Sequence, residues 1–257
     1  MNSRKNYKKW TFNENSKSIH HLQHNHIIIW NKGVCVAGYD KDNALILAHS
    51  YTFEEGLTAK DIENIILDDH LLGGNEPVVN IWYASDRQSI FPKQLYKEDQ
   101  AKAAISQIYF VDHDEHIAVA PIGQPLGQIL YVIPKALKEK LELLFPVAIS
   151  DNLINANPNR NPEADIMVTI LPNMGTISAY NQSKLIHYTT FDCVSKADIM
   201  YYIGLFQQEF LNNKKDIIVD ITGYGLLHDN IINYAKDYYK IKEHGTESFF
   251  KYLPTCE

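Results

Sequence analysis

The sequence predicts an α/β protein in which one structural unit occurs twice, because two distant segments echo each other. Residues 45–53 read LILAHSYTF and residues 183–191 read SKLIHYTTF. Four identical residues recur at a constant offset of 138 positions, namely Leu47 and Leu185, His49 and His187, Thr52 and Thr190, and Phe53 and Phe191. Each segment is followed by a helical pattern and then by a short apolar run. This shared order of elements favours duplication over chance similarity between two ordinary β-then-α segments.

The first unit begins with three short strand patterns separated by turn signals. The strands are expected over residues 26–30, 33–39 and 44–53, with turns at Asn31-Lys32-Gly33 and at residues 40–43. A helix over residues 57–72 and a strand over residues 78–83 follow. The remaining elements are a helix near 97–108, strands near 117–120 and 128–132, and a helix from Pro134 with Leu137, Leu141 and Leu144 on one face.

The stretch from Asn152 to Glu163 is rich in asparagine and proline, so no packed element is expected there. We therefore divide the chain into a first unit at residues 1–150 and a second unit at residues 151–257. The second unit repeats the pattern with strands over 166–171, 176–180 and 184–191, a helix over 195–211, a strand over 217–221 and a helix over 226–240. The tail from Phe249 to Leu253 is expected to dock as a short helix.

Three antiparallel strands followed by helix, strand and helix form the element order of an RNase H-like unit. The strand after the helical crossover is expected to lie parallel to a strand of the meander. Two such units in tandem give an actin-like architecture. Each unit should then hold a mixed five-stranded sheet flanked by helices.

The amino-acid composition and the net charge limit the kinds of partner that are expected. The chain has 257 residues, of which 45% are hydrophobic and 21% charged, and its net charge of −7 disfavours nucleic acid and anionic lipid as partners. The basic residues near the start, Arg4, Lys5, Lys8 and Lys9, are expected to form a frayed, solvated terminus.

The cysteines and the apolar segments indicate a cytoplasmic, reduced protein without membrane insertion. Cys35, Cys193 and Cys256 lie far apart and show no ligand spacing. Cys35 alternates with valines in a strand pattern, so it is expected to be a small core residue. No segment approaches the length that is needed to span a bilayer.

Three motifs occur in a fixed order along the chain. They are Tyr51-Thr52-Phe53, Pro92-Lys93-Gln94-Leu95-Tyr96, and Phe249-Phe250 followed by Leu253 and Cys256-Glu257. On these motifs the chain resembles, over residues 18–257, a bacterial family of unknown function with an actin-like ATPase fold. It is more distantly similar to actin-like proteins of type IV pilus assembly and type II secretion. The resemblance implies the fold much more strongly than the biochemistry.

The resemblance implies where a nucleotide would bind. In actin-like ATPases an Asp-x-Gly hairpin in each unit contacts phosphate, and its carboxylate holds hydrated Mg²⁺. The matching positions are Asn31-Lys32-Gly33 and Asn173-Met174-Gly175-Thr176, which keep glycine but have asparagine in place of the acid. An amide supplies no negative charge, so metal binding and phosphoryl transfer should be weakened. Alternatively, both turns are only tight hairpins, for which Asn and Gly at positive φ are typical.

The adenosine side of such a site would lie at a glycine pair after a late strand of the second unit. Gly223 and Gly225 flank Tyr224 between a strand and a helix. This turn could present backbone donors and a helix N-terminus to a ligand, or it could be only a tight loop. Asp220, on the preceding strand, is a further candidate, although a buried or capping role is favoured.

The other polar clusters show no pattern that indicates a catalytic site or a metal site. His20, His24 and His26 would share a strand face, but no acidic or cysteine partner lies at ligand spacing. The segment from Asp112 to His116 is expected to be a solvated loop. His49 and His187 recur through the duplication, so we expect a shared structural role. No catalytic residue and no metal ligand are therefore assigned.

The sequence favours a non-catalytic module that engages a protein partner or a ligand through the cleft between its units. The alternative is an ATP-binding switch or weak ATPase, with ATP and Mg²⁺ as cofactors and atypical phosphate loops. An RNase H-like nuclease is disfavoured, since the first strand of each unit lacks the interior acid that two-metal catalysis needs. Whether the chain is an enzyme is left open.

Overall fold

Two mixed sheets and one small antiparallel sheet carry the fold. A computed structural model describes residues 7–13, 19–122, 127–156, 163–251 and 253. The strands are β1 (Tyr7–Asn13), β2 (His24–Trp30), β3 (Gly33–Tyr39), β4 (Leu45–Phe53), β5 (Val78–Ala84), β6 (Gln88–Pro92), β7 (Glu115–Ile122), β8 (Gly127–Pro134), β9 (Ile149–Asn152), β10 (Ile166–Leu171), β11 (Asn173–Asn181), β12 (Lys184–Cys193), β13 (Ile218–Gly223) and β14 (Lys240–Glu243). The α-helices are α1 (Ala59–Asp68), α2 (His70–Gly73), α3 (Ala101–Ser106), α4 (Lys135–Leu144), α5 (Lys196–Phe210), α6 (Leu226–Ala235) and α7 (Thr246–Lys251).

The two large sheets share one topology, as the duplication predicts. The first sheet has the order β1-β4-β3-β2-β5-β9 and the second has the order β12-β11-β10-β13-β14. In each, three antiparallel meander strands are followed by a strand that lies parallel to the first of them. Thr58 and Ser195 form capping boxes with Asp61 and Asp198 at the helices that follow the meanders.

The first sheet has six strands, so the expectation of five is wrong for this unit. The additional strand, β1, pairs antiparallel with β4 and includes Lys8 and Lys9. These lysines are therefore not frayed, because Trp10 and Phe12 pack against the buried cluster between the two units and fix the strand. Arg4 and Lys5 lie outside the described residues.

The second sheet has five strands, as predicted for the unit, but the sequence pattern assigned only four of them and placed no strand at residues 240–243. Helix α6 ends at Ala235, and β14 follows it and pairs parallel with β13. The docked tail is confirmed, since α7 buries Phe249 and Phe250, and the hydroxyl of Tyr39 donates to the carbonyl of Phe250 at 2.8 Å. This bond joins the end of the chain to the first sheet.

The region between the units is better ordered than the sequence predicts. Strand β9 pairs with β5, and a short 3-10 helix at Leu153–Ala156 buries both of its end residues. The expectation that residues 152–163 hold no packed element is therefore wrong for residues 152–156. Residues 157–162 lie outside the described residues. The division at residue 150 stays a prediction, and β9 spans that position.

Strands β6, β8 and β7 form a small antiparallel sheet that lies beside α3 and α4. Helix α4 buries Leu137 and Leu141, as its apolar spacing predicts, whereas Leu144 is exposed. The predicted helix over residues 57–72 is in fact two helices. Asp69 adopts extended backbone angles after α1 and caps α2 with its side chain.

His49 and His187 both connect the third meander strand to the helical segment behind it. The Nδ1 atom of His49 lies 2.8 Å from a carboxylate oxygen of Asp69, at the start of α2. His187 stacks on Phe210 of α5 at a ring distance of 4.5 Å. The two residues thus have structural roles in equivalent places, although their contacts differ in chemistry.

Candidate functional site between the two hairpins

The turns that connect the first two meander strands of each unit lie against each other. The first turn is Asn31-Lys32, and the second is Pro172-Asn173. Trp30, at the end of β2, donates from its indole Nε1 to the carbonyl of Pro172 at 3.1 Å. The Trp30 side chain is only 1% exposed, so it occupies the space between the turns.

The two turns are not equivalent in register. Thr52 lies opposite Gly33, and the echoed Thr190 lies opposite Thr176. The second hairpin then continues for two further residue pairs, Ile170 with Gly175 and Leu171 with Met174. Asn173 has a φ of 64°, as a tight turn requires, whereas Asn31 is not among the described residues of positive φ. The alignment of Asn31 with Asn173 therefore does not place them at the same turn position.

Gly33 and Gly175 both lie under aromatic rings. A Cβ atom on Gly33 would lie 2.2 Å from the ring of Trp30, and one on Gly175 would lie 2.3 Å from the ring of Phe191. Side-chain packing therefore accounts for glycine at both positions without any phosphate contact. Met174 and Thr176 are also buried, at 2% and 5% exposure.

The predicted phosphate-side residues thus fall into four environments. Lys32 and Asn173 line one open groove, together with Lys8, Thr52 and the loop that precedes α1. Asn31 lines a separate pocket with Trp30 and residues 84–87. Gly33, Met174 and Gly175 are covered by neighbouring side chains. Thr176 lines a further pocket together with Thr169 and Thr222. The structure does not bring all of these residues to one surface.

The glycine pair of the second unit places a tyrosine side chain in the protein interior. Gly223 and Gly225 have φ values of 136° and 93°, and Tyr224 between them is 1% exposed. Its hydroxyl lies 3.2 Å from Oγ of Ser50, and its ring lies 5.0 Å from that of Trp10. Burial raises the pKa of Tyr224 well above its ordinary value, so the phenol stays neutral.

Much of the space between the units is occupied by what we call the aromatic layer. It comprises Trp30, Tyr39, Trp82, Tyr224, Phe249 and Phe250, all of them buried in one cluster with Leu171 and Met174. Cys35 belongs to this cluster, as a small core residue should, and burial raises its pKa to about 12. The layer occupies the place where the resemblance would put a nucleotide.

Sequence reasoning missed a charged group beside the first turn. Asn31 donates from Nδ2 to Oδ2 of Asp86 at 3.1 Å, so a half-exposed carboxylate lies next to the turn that lacks its own acid. Arg87 follows, and its guanidinium donates to both carboxylate oxygens of Glu115, which lowers the pKa of Glu115. The position of Asp86, two residues after the end of β5, which is parallel to β2, could have signalled this.

The other polar candidates are scattered. His26 is fully buried beside Asn80, and burial lowers its pKa to about 3, whereas His20 lies in a separate 3-10 helix. Asp220 is buried within 3.0 Å of Nε2 of His244. Asp112, His113 and Asp114 are exposed, as expected for a solvated loop, although their ligand atoms lie within 4.8 Å of one another. The expected loop is wrong for Glu115 and His116, which begin strand β7.

Alanine substitutions at the two positive-φ glycines should separate backbone strain from lack of space. Gly225→Ala meets nothing within 4 Å, so only the φ of 93° opposes it, at about 1 kcal/mol. Gly223→Ala would place Cβ 2.1 Å from the carbonyl oxygen of Ile170, and we expect a loss of about 3 kcal/mol or more. Urea unfolding of both variants checks this, and equal losses would contradict it.

Comparison with known proteins identifies the fold. A family profile described as "Protein of unknown function (DUF3822)" matches residues 15–241. A Bacteroides thetaiotaomicron protein with an actin-like ATPase fold and unknown function is similar, with TM-score 0.68 and 17% identity over 92% of this chain and 97% of that chain. No curated protein matches the chain.

Two assembly proteins are also similar. A chain of the PilM-PilN type IV pilus biogenesis complex has TM-score 0.53 and 12% identity over 86% of this chain and 88% of that chain. The cytoplasmic domain of EpsL, from the type II secretion system of Vibrio cholerae, has TM-score 0.46 and 10% identity over 84% and 95%. The match to the Bacteroides thetaiotaomicron protein confirms the actin-like ATPase fold. Every helix in the described part of the chain is too short or too polar to cross a bilayer.

Proposed function

This chain belongs to the DUF3822 family of proteins of unknown function, and we propose that it is a non-catalytic binding module that engages a protein partner rather than a nucleotide. The aromatic layer is the single observation that carries the proposal. Trp30 and Tyr224 are each 1% exposed and lie between the units. A nucleotide could enter there only if these buried rings moved out, at a cost of roughly 2 to 3 kcal/mol for each large side chain that is exposed.

The polar groups at the turns support the same conclusion. Asn31 and Asn173 carry no charge, and the glycines beside them are covered by rings. Phosphoryl transfer depends on positioned charge and bound Mg²⁺. This chain lacks the acid at both turns, and side chains fill the space between the turns. It therefore keeps the actin-like fold without the groups that phosphoryl transfer needs.

The sequence alone favours binding through the cleft between the units, but the aromatic layer occupies much of that cleft, so we place the partner at the outside of the two-unit body instead. The similar chain in the PilM-PilN complex is named as part of a biogenesis complex, which is a role in assembly. Its 12% identity shows a common fold alone, so it supports only the general idea that this fold can present surfaces to other proteins.

Thermal unfolding with Mg-ATP tests the proposal. A ligand that binds only the folded state raises the melting temperature as its concentration rises. We expect no saturable rise with Mg-ATP or Mg-ADP, and no phosphate release above that of a heat-denatured sample. A saturable rise of several degrees in the wild-type protein would contradict the proposal.

A second candidate function, an ATP-binding switch or weak ATPase, is favoured by one observation. Asp86 lies beside Asn31, and Lys32 lies in an open groove, so a carboxylate and a cation are both near the first turn. If Mg-ATP does stabilise the protein, Asp86→Asn should abolish the effect under this alternative, because it removes the charge and keeps the shape. Asp42→Asn, at an exposed turn between β3 and β4, is the matched control.

A further inference from the structure

A pocket of about 200 Å³ lies at the carboxyl ends of strands β2 and β5, which run parallel in the first sheet. We call it the Asp86 pocket. The part of its lining that is shielded from solvent is apolar, since Ile29, Leu57, Tyr83 and Leu137 are each at most 6% exposed. The crevice outside the carboxyl ends of parallel strands is a common place for ligands in α/β proteins.

The Asp86 pocket lies on the opposite side of the first sheet from most of the aromatic layer. Its four apolar residues belong to the core cluster beneath α1 and α4, whereas the aromatic layer belongs to the cluster between the units. Trp30 is the member of the layer that also lines the pocket. A ligand can therefore bind here without separation of the two units, and the inference does not depend on the proposed function.

Hydrogen bonds hold two walls of the Asp86 pocket in place. The N–H of Leu57 donates to the carbonyl of Asn31 at 2.8 Å, which fixes the loop before α1. The hydroxyl of Ser85 donates to the carbonyl of Val132 at 2.8 Å, which fixes β8. Protein interiors contain few voids larger than a water molecule, and an apolar cavity of about 150 Å³ is enough to bind benzene. The pocket is thus preformed and large enough for a small organic molecule.

The solvent-exposed end of the Asp86 pocket carries a negative charge. Asp86 and Arg87 are the charged residues that line the pocket. The guanidinium of Arg87 donates to both carboxylate oxygens of Glu115, which balances its charge, and its Nε atom lies 3.9 Å from Asp86. The Asp86 side chain is 51% exposed and accepts from Nδ2 of Asn31. A carboxylate can accept further hydrogen bonds, so Asp86 favours a ligand with a cationic donor.

The helix N-termini beside the pocket do not reverse this preference. A helix N-terminus attracts an anion where its first N–H groups are unpaired. At α1, Thr58 and Asp61 form a capping box. At α4, the N–H of Lys135 donates to the carbonyl of Asp114 at 2.9 Å. Donors at both helix starts are therefore already engaged.

The second unit shows that the fold does not require a polar pair at this place. Counted from the echoed threonines, the register of the two sheets places Asn31 and Asp86 where the second unit has Ile170 and Tyr224. Ile170 and Tyr224 are both buried. The hydrogen-bonded amide and carboxylate are therefore a feature of the first unit and not of the duplicated fold.

We propose that the Asp86 pocket binds a small organic amine. The apolar body of the ligand, about six to eight carbon atoms by comparison with benzene in a cavity of about 150 Å³, lies among Ile29, Leu57 and Leu137. Its protonated amine lies at the exposed end and donates to the carboxylate of Asp86. Pockets for larger ligands measure about 300 to 1,000 Å³, so this volume suits one free small molecule.

An NMR titration of the ¹⁵N-labelled full chain with 2-phenylethylamine tests the proposal. This probe combines a phenyl ring with an amine that is protonated at neutral pH. We expect saturable shifts of backbone amide signals, including those of Leu57 and Asp86, with a dissociation constant on the order of 1 mM. 2-Phenylethanol keeps the ring without a charge, and phenylacetate keeps the ring with a negative charge. The alcohol should bind about fivefold more weakly than the amine, as a half-exposed ion pair predicts, and phenylacetate more weakly still.

Asp86→Asn separates recognition of the charge from recognition of the ring. It removes the charge and keeps the shape, so it should lower the affinity for the amine to that for the alcohol and leave the affinity for the alcohol unchanged. Asp42→Asn, exposed in the turn between β3 and β4, is the matched control and should change neither affinity. Leu57→Phe should fill part of the pocket and weaken the binding of all three probes. Should that variant fail to fold, the comparison of Asp86→Asn with the wild type still decides.

Three results would overturn the proposal. The first is the absence of a saturable shift with the amine up to about 20 mM, well above the expected dissociation constant. The second is equal affinity for the amine and phenylacetate, since the pocket would then not recognise a cation. The third is an Asp86→Asn variant that binds the alcohol as weakly as it binds the amine and more weakly than the wild type does, because Asp86 would then only support the shape of the pocket.

Discussion

Trp30→Ala will lower the free energy of unfolding by about 3 to 5 kcal/mol, the usual range for truncation of a buried tryptophan. The side chain is 1% exposed and contacts both units, so its loss leaves a cavity at their junction. It also leaves the carbonyl of Pro172 without the indole donor. Urea unfolding followed by far-UV circular dichroism measures the change.

A milder variant separates packing from hydrogen bonding at this position. Trp30→Phe keeps a ring over Gly33 and loses only the N–H donor and part of the volume, so we expect a loss of about 1 to 2 kcal/mol. Leu95→Ala is the surface control, because Leu95 is largely exposed and its truncation should change stability by less than about 0.5 kcal/mol. A loss below about 1 kcal/mol for Trp30→Ala would mean that the ring does not hold the two units together.

Asp69→Asn will remove about 3 kcal/mol of stability, because it disrupts a buried network around a charged group. The carboxylate of Asp69 is fully buried and accepts from Nδ1 of His49, from the hydroxyl of Tyr51 and from the N–H of Leu71. An amide cannot accept all of these bonds. The exposed neighbour Asp68→Asn is the matched control, and urea unfolding at neutral pH compares the two variants.

The same network predicts a pH dependence. Burial alone would raise the pKa of Asp69, but the hydrogen bonds from His49, Tyr51 and Leu71 outweigh it and lower the pKa to about 2. Because the pKa is lower in the folded state, the stabilisation is complete above about pH 4 and is lost as the pH falls from 4 to 2. Its size is about 2 kcal/mol. In Asp69→Asn this part of the acid-induced loss should be absent, and an unchanged acid profile would contradict the assignment.

Much of the fold could be predicted because apolar periodicity and turn residues are local signals. The two meanders, the helix that follows Ser195 and the docked tail at Phe249 all follow from neighbouring residues. Strand β1 was missed because Lys8 and Lys9 read as a solvated terminus, although Trp10 and Phe12 fix it from the other side. Strand β14 was missed because it has only four residues and only one of them, Ile241, is apolar.

The candidate site was less predictable, because its character depends on contacts between distant residues. Trp30 and Pro172 are 142 positions apart, and nothing near either residue indicates that they meet. The glycines at 33 and 175 read equally well as phosphate contacts or as turn residues. Only the rings of Trp30 and Phe191 above them show a packing reason. Asp86 was accessible in principle, since it follows a predicted strand.

The aromatic layer also bears on how this molecule can move. Separating the two units would expose the six large rings of the aromatic layer to water. This exposure would cost on the order of 10 kcal/mol, so thermal motion does not open and close the cleft. The two units of this chain therefore move together as one rigid body. Any signal that the protein passes on then depends on where it is bound and on which molecules its surface contacts, and not on a change in its shape.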